Sequence, residues 1–268
     1  IKNGPYETFH ENGQLESREN YKDGKMDGLV ESFHENGQLD QRRNYIDGEE
    51  EGLWEFFDGN GNLEETQTWE NGLHIIPGVE TVTRDGLIYH QLSTEPLTGV
   101  VEEFYSSGQL KERKSYRDGV LEGAWEHFYS NGQLWSRGNL KDGRPEGFSE
   151  VFYDHGQLWR RRNFVEGKQE GAQEWFDENG QLIESGTYRN GQREGLWEGF
   201  HANGQLKERW VLKNGEPDGP LEMFHENGQL WSSGELKNGR PDGVWNFFDE
   251  NGEVYIILNY KDGDLVAP

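Results

Sequence analysis

The sequence predicts an all-β protein, an elongated single meander of antiparallel β-hairpin repeats with about eleven 24-residue units. Three observations predict it. Asn-Gly or a close variant recurs at Asn12-Gly13, Asn36-Gly37, Asn60-Gly61, Ser107-Gly108, Asn131-Gly132, His155-Gly156, Asn179-Gly180, Asn203-Gly204, Asn227-Gly228 and Asn251-Gly252, spaced by 24 residues within each array. Phe stands three residues before every one of these pairs, and Leu, or Val254 in the last copy, three residues after. No helical period of about 3.6 residues survives for more than a turn. A fixed period of roughly 20–50 residues marks a repeat architecture, in which each unit needs only its neighbours for a core.

Each unit opens on a Gly, such as Gly4, Gly28, Gly52 or Gly99, and runs into a first strand that ends at the fixed Phe. The Asn-Gly turn follows, because it needs positive φ, which Gly adopts freely and Asn tolerates. A two-residue type I′ loop would put the fixed Phe and Leu on opposite faces. A three-residue type I turn with a Gly bulge sets them across from each other, and Asp or His at the first turn position (His10, Asp58, Asp177, Asp249) suits it, so the bulged turn is expected. The second strand carries an aromatic residue or Leu nine places after the Asn, as at Tyr21, Tyr45, Trp69 and Tyr188, and closes on a second Gly, as at Gly24.

Along the chain, residues 1–72 hold three regular units and 99–263 hold seven. Residues 73–98 break the pattern. Asp85-Gly86-Leu87-Ile88 sits near the place of Asn-Gly-Gln-Leu with no Phe before it, so a degenerate unit that keeps a hairpin in shifted register is expected. Residues 264–268 form a tail after the most apolar strand, Val254 to Leu258, which is expected to cap the array or contact something else. Ile1 lies inside the repeat pattern, which leaves room for a signal peptide or further repeats upstream. The compartment stays open on either side of export, since the chain has no Cys.

The net charge of −25 repels nucleic acid and argues against an anionic membrane. A protein partner, including a basic one, remains, as does oligomerisation through the array ends. No nucleophile elbow, phosphate loop or Ser/His/Asp arrangement stands outside the repeat, and the acidic turns lack the ligand count of a calcium loop. Every distinctive residue recurs, whereas an active site is normally singular. No enzyme, cofactor or metal is therefore expected, although His74 and His90 in the irregular segment would be the place to look.

The bulged register assigns two faces. The fixed Phe, the Leu, the aromatic nine places on and a small apolar residue such as Leu29, Val100 or Leu196 are expected to form the core. The opposite face is expected to carry the residue six before Asn (Tyr6, Trp54, Trp125, Trp197, Trp245), Trp135, Trp159 and Trp231, and an Arg six after Asn (Arg18, Arg42, Arg113, Arg137, Arg161, Arg209). Tyr6/Arg18, Trp125/Arg137 and Trp197/Arg209 would be cross-strand cation–π pairs. Trp125, Trp135, Trp159, Trp197 and Trp231, with Arg137, Arg161 and Arg209 among them, are thus the candidate partner-binding residues, of the types that dominate binding energy. Glu7, Glu31, Glu55, Glu102, Glu126, Glu150, Glu174, Glu198 and Glu222 form a ladder with rungs ~10 Å apart, too far for a shared metal, and are expected to be structural.

Units such as Gly123 to Leu134, with Gly-x-Trp-x-Glu-x-Phe, Asn-Gly-Gln-Leu and a Tyr-x-Asp-Gly-x-x-x-Gly link as in Tyr116 to Gly123, resemble the variant MORN repeat of bacterial proteins labelled YwqK-family antitoxins. Pro96-Leu97-Thr98-Gly99 before a first unit is similar to that family too. The resemblance covers nearly the whole chain. It implies a twisted antiparallel sheet acting as a protein-interaction scaffold, and neutralisation of a partner toxin. The functional expectation is a non-enzymatic scaffold for a protein partner, with a carbohydrate-binding surface or periplasmic protein using an exposed Trp/Arg face as the alternative.

Overall fold

A computed structural model describes residues 1–78, 80–91 and 93–266; positions 79 and 92 of the irregular segment and 267 and 268 of the tail lie outside the described residues. The protein is all-β, a meander of antiparallel hairpins, and two compact units divide it at residues 1–122 and 123–268.

The expected bulged turn is present. In the first repeat His10 N–H donates to Gln14 O at 2.9 Å, Gly13 N–H donates to His10 O at 2.8 Å, and Gly13 takes φ 86°. The fixed Asn has two tasks: Asn12 Oδ1 accepts from Gln14 N–H at 2.9 Å, and its Nδ2 donates to Glu35 O of the next turn at 2.7 Å. The second turn is a two-residue type I′ loop, with Asp23 at φ 53° and Gly24 at φ 88° between the paired Lys22 and Lys25. Here the stitching uses carboxylates. Glu51 accepts from Asn71 N–H at 3.0 Å, Glu146 from Glu166 N–H at 2.8 Å and Glu194 from Asn214 N–H at 2.9 Å. Part of the acidic composition thus satisfies backbone donors where successive turns stack.

A second irregularity decides the faces. Phe9 pairs with Leu15, but the next pair is Thr8 with Ser17, so Glu16 is bulged out. A one-residue slip sends every following side chain to the other face. The expected partners are therefore replaced: Tyr6 faces Glu19 and Glu7 faces Arg18, Trp125 faces Gly138 and Glu126 faces Arg137, Trp197 faces Trp210 and Glu198 faces Arg209. The core is the face with the residue six before Asn, where Val30, Trp54, Trp197 and Trp245 are 2%, 7%, 0% and 7% exposed. Of the expected core residues, Leu29 and Leu196 are 49% and 50% exposed, on the face that the fixed Phe shares with Glu and Arg, whereas Val100 is buried at 3%. The aromatic nine places on does join the core, as buried Tyr45 and Leu212.

In the first unit, Val30, Tyr45 and Trp54 cluster with Met26, Phe56 and Trp69 against them. Residues 73–98 contribute one strand to the sheet. Leu73–Pro77 pairs antiparallel with Leu63–Glu70 and parallel with Gly99–Phe104. Between those two pairings the chain makes a separate hairpin, Thr81–Arg84 with Leu87–His90, whose Asp85-Gly86 is a turn of the second kind (φ 51° and 81°). The parallel pairing needs a Gly at 99, because a Cβ there would meet His74 O at 2.6 Å.

The second unit runs as paired strands from Gly123 onward to Val254–Lys261, whose far edge pairs at Tyr260 and Lys261 with Asp264–Leu265 and accepts Val266 N–H on Asn259 O at 2.8 Å. Its core depends on size alternation. Trp197 lies over Gly186, where a Cβ would stand 2.2 Å from the indole, and Trp245 lies in the same way over Gly234. Each indole removes roughly 150–250 Å² from water, so a sheet one layer thick gains a core wherever Trp meets Gly.

Candidate functional site

The eight candidate residues do not share one face. Trp197 is core, with Arg193 4.2 Å above its ring and Trp175, Tyr188 and Trp210 against it. Trp125 is half-buried on the same face and leans on Gly138, where a Cβ would be 2.9 Å from the ring. Arg137, Arg161 and Arg209 lie on the opposite face, where they interleave with the Glu ladder. Glu150 receives Arg137 at 2.7 Å and Arg161 at 2.8 Å, and Arg161 reaches on to Glu174 at 3.5 Å. Arg209 pairs with Glu222. The first unit repeats this, with Arg18 between Glu7 and Glu31 at 3.0 and 3.7 Å and Arg42 between Glu31 and Glu55 at 3.3 and 3.1 Å. Burial would raise the Glu150 carboxyl, but hydrogen bonds and charge from Arg161 and Arg137 outweigh it and hold it below its ordinary value. The arginines stack on the fixed Phe rather than on Trp, Arg137 at 5.6 Å from the Phe152 centroid and Arg209 at 5.9 Å from Phe224.

Trp135, Trp159 and Trp231 occupy a third environment. They are the bulged residues, four places after Asn, and are 46%, 38% and 40% exposed. Each rests on the first residue of its own hairpin's turn, Trp135 on Tyr129 at 6.2 Å, Trp159 on Tyr153 at 6.2 Å and Trp231 on His225 at 6.4 Å, and Trp135 also lies on the strand residue His127 at 5.7 Å. The turn residues are fixed in their turn, Tyr129 OH donating to Phe152 O at 2.9 Å and Tyr153 OH to Phe176 O at 3.0 Å. The result is an aromatic rim along the Asn-Gly turns.

Between Trp125, Trp135 and Trp159 the core face opens into a recess of about 310 Å³, floored by Ser136, Ser149 and Val151 and flanked by Arg160, Arg162 and Phe164. Ser149 stands where Trp125 and Trp197 stand in their own repeats, so the floor is low there. Arg160 lies over Trp159 and Arg162 over Phe164, each at 5.1 Å. Burial pulls both guanidinium groups below their ordinary value, and for Arg162 the charge of Arg160 adds to it. Sequence reasoning missed these two arginines because it followed only the ladder position, Arg161. The run Arg160-Arg161-Arg162 was the available signal, since alternation in a strand must put its outer members opposite its middle one. On the ladder face, a cleft of about 460 Å³ lies beside Glu150, Arg137, Arg161 and the exposed Phe148. Among the described residues, no group of three or more His, Asp or Glu is placed to hold a metal ion.

A family profile described as MORN repeat variant matches residues 2–23, 26–47, 50–71, 97–118, 121–142, 169–190, 193–214, 217–238 and 241–262. The stretch 145–166 between two matches, which carries the recess arginines, folds as the same pair of strands, Arg144–Phe152 and Leu158–Val165. No curated protein sequence matches the chain. Similar solved structures include an S. aureus TarM mutant in complex with Fondaparinux, alpha-GlcNAc-glycerol and UDP, at 14% identity over 36% of this chain and 19% of that one, TM-score 0.26. A TcdB2-TccC3-Cdc42 structure is 9% identical over 98% of this chain and 16% of that one, TM-score 0.20. The Photorhabdus luminescens Tc holotoxin pore is 10% identical over 98% and 17%, TM-score 0.19. The chain spans less than a fifth of the length of each of these chains.

Proposed function

This chain belongs to the MORN repeat variant family, matched over nine of its repeats, and we propose that it is a non-enzymatic repeat scaffold that holds a protein partner along its aromatic rim. The observation that carries the proposal is the exposure of Trp135, Trp159 and Trp231 at the bulged position, where a hydrophilic side chain would serve the sheet as well, as Glu16 and Lys207 do. Exposed aromatics on rigid supports are the common anchors of interfaces, because they bury much area and lose little rotamer freedom. The net charge of −25 speeds encounter with a basic partner. Neutralising a toxin is one specific form of this activity.

The test is site-specific photocrosslinking from positions 135 and 159 in extract of the native host, with position 29 on the ladder face as control. Crosslinks to one protein from the rim, lost in competition with unlabelled protein but not with a Trp135→Ala, Trp159→Ala double variant, are the expected result. Crosslinks from position 29 instead would move the interface to the ladder face. A glycan array binding through the same tryptophans would replace the protein partner with a carbohydrate.

A further inference from the structure

We propose that the recess between Trp125, Trp135 and Trp159 is a binding site for a carboxylate carried on an apolar body, with Arg160 and Arg162 as its counter-charges. The site is a property of the recess and stands whether or not the rim engages a protein.

Charge comes first. In a chain of net charge −25, cations should find carboxylates easily, and Arg18, Arg42, Arg137, Arg161 and Arg209 do. The side chains of Arg160 and Arg162 make no ion pair or hydrogen bond among the described residues, and their Nε–H groups are buried without an acceptor. Their neighbours across both strand pairings are neutral: Val151 and Trp175 beside Arg160, Ser149 and Gln173 beside Arg162. Two like charges two residues apart, roughly 6.6 Å along one face of a strand, repel each other in this half-buried place. An anion between them relieves both the repulsion and the unmet donors.

Shape comes second. The recess of about 310 Å³ suits a group of small-ligand size, and its walls are indole rings. Inorganic anions have nothing to offer those walls. A carboxylate with an aryl or branched aliphatic body places its charge on the guanidinium pair and its body against Trp125 and Trp135. Such a carboxylate could come from a free small molecule or from an acidic side chain in an apolar peptide segment.

The experiment titrates the intact protein with 3-phenylpropionate, its neutral amide, inorganic phosphate and the blocked tripeptide acetyl-Leu-Glu-Leu-amide, following the arginine Nε–H resonances and tryptophan fluorescence. The expected result is saturable shifts at Arg160 and Arg162 with the carboxylate and little response to the amide. Arg160→Gln with Arg162→Gln should weaken binding by about tenfold or more. Ser149→Trp, which fills the floor and leaves both charges, should weaken it comparably and carries the test if the arginine variant fails to fold. Binding of 3-phenylpropionate alone identifies a free small acid, and binding of the tripeptide an acidic side chain. No response from Arg160 and Arg162, an amide that binds as well as the acid, or phosphate that binds as well as either would overturn the proposal.

Discussion

Two places in the second unit use the same backbone for opposite ends. Around Trp197 the row of residues that crosses the core face reads Gln173, Gly186, Trp197, Trp210. The indole fills the space over Gly186, its exposure is 0%, and Arg193 closes the top while staying paired to Glu184 at 3.4 Å. Two repeats earlier the row reads Trp125, Gly138, Ser149, Arg162. Trp125 fills the space over Gly138, but Ser149 leaves the next place low and Arg162 stands there without a carboxylate. Turn, bulge and register are alike in both. The comparison teaches that this backbone tolerates either a packed row or an open one, and that one side chain per strand decides between core and cavity.

The largest way to break the comparison is to empty the packed place. Trp197→Ala should cost ~3–5 kcal/mol, the range for a fully buried aromatic, read as a lower denaturant midpoint. Gly186→Val should destabilise too, by overpacking, since its Cβ would already overlap the indole. A small loss in both variants would mean that Trp197 is not what the packed row rests on.

Next in size is the ladder behind both places. Glu150→Gln removes the shared partner of Arg137 and Arg161; a mostly buried carboxylate with half-exposed partners should be worth ~1–3 kcal/mol. The native carboxyl titrates below its ordinary value, so its contribution is fully present above about pH 4.3, the unfolded carboxylate range, and is lost as pH falls through the lower native value. The gap between wild type and variant, measured by urea melts, should therefore narrow from neutral pH towards pH ~3. A gap constant over that range would assign the loss to packing. Asp58, held at about 2 by hydrogen bonds from Asn62 and Asn60, should keep the hydrogen bonds of its turn until the pH falls to about that value.

Smaller still is the effect of the rim on stability. Trp135→Ala with Trp159→Ala should change stability by no more than about 1 kcal/mol, because both rings keep more than a third of their surface in water, while partner capture falls. A large drop in melting temperature would make the rim part of the fold.

The repeat, its period and the bulged Asn-Gly turn were legible in the sequence, because Asn12, Gly13, Phe9 and Leu15 each have a local reason to be where they are. The faces were not. The bulge at Glu16, and at Trp135, Trp159 and Trp231 in later repeats, has no residue signature: Glu, Asp, Lys, Trp, Ile and Tyr all occupy it. Its one-residue slip turned the expected cation–π pair Trp197/Arg209 into a core Trp and a ladder Arg. The fixed Phe was misread for a related reason. Where Arg137 lies over Phe152 and Arg209 over Phe224 it supports the ladder, and recurrence alone does not separate that duty from burial. The recess lay beyond reach for a third reason, since it arises from the absence of a large residue at Ser149.

The finest test converts the open place into the packed one. Ser149→Trp with Arg162→Gly gives the row of the 145–166 repeat the large-small alternation of Trp125 with Gly138. Filling a void gains stability, and removing a half-buried unpaired cation gains a little more. A strand-interior Gly costs roughly 0.5–1 kcal/mol against that. The two sides nearly cancel, so the double variant should melt within about 1 kcal/mol of wild type, with the indole of the new residue shifted to the blue fluorescence of a buried ring. Ser149→Trp alone should be worse than the double, because its ring then competes with the Arg162 guanidinium for one space; the coupling between the two sites should favour the pair by ~0.5–3 kcal/mol. Additive effects would show that residues 149 and 162 do not share a cavity, and that the openness of this place has another origin than the missing indole.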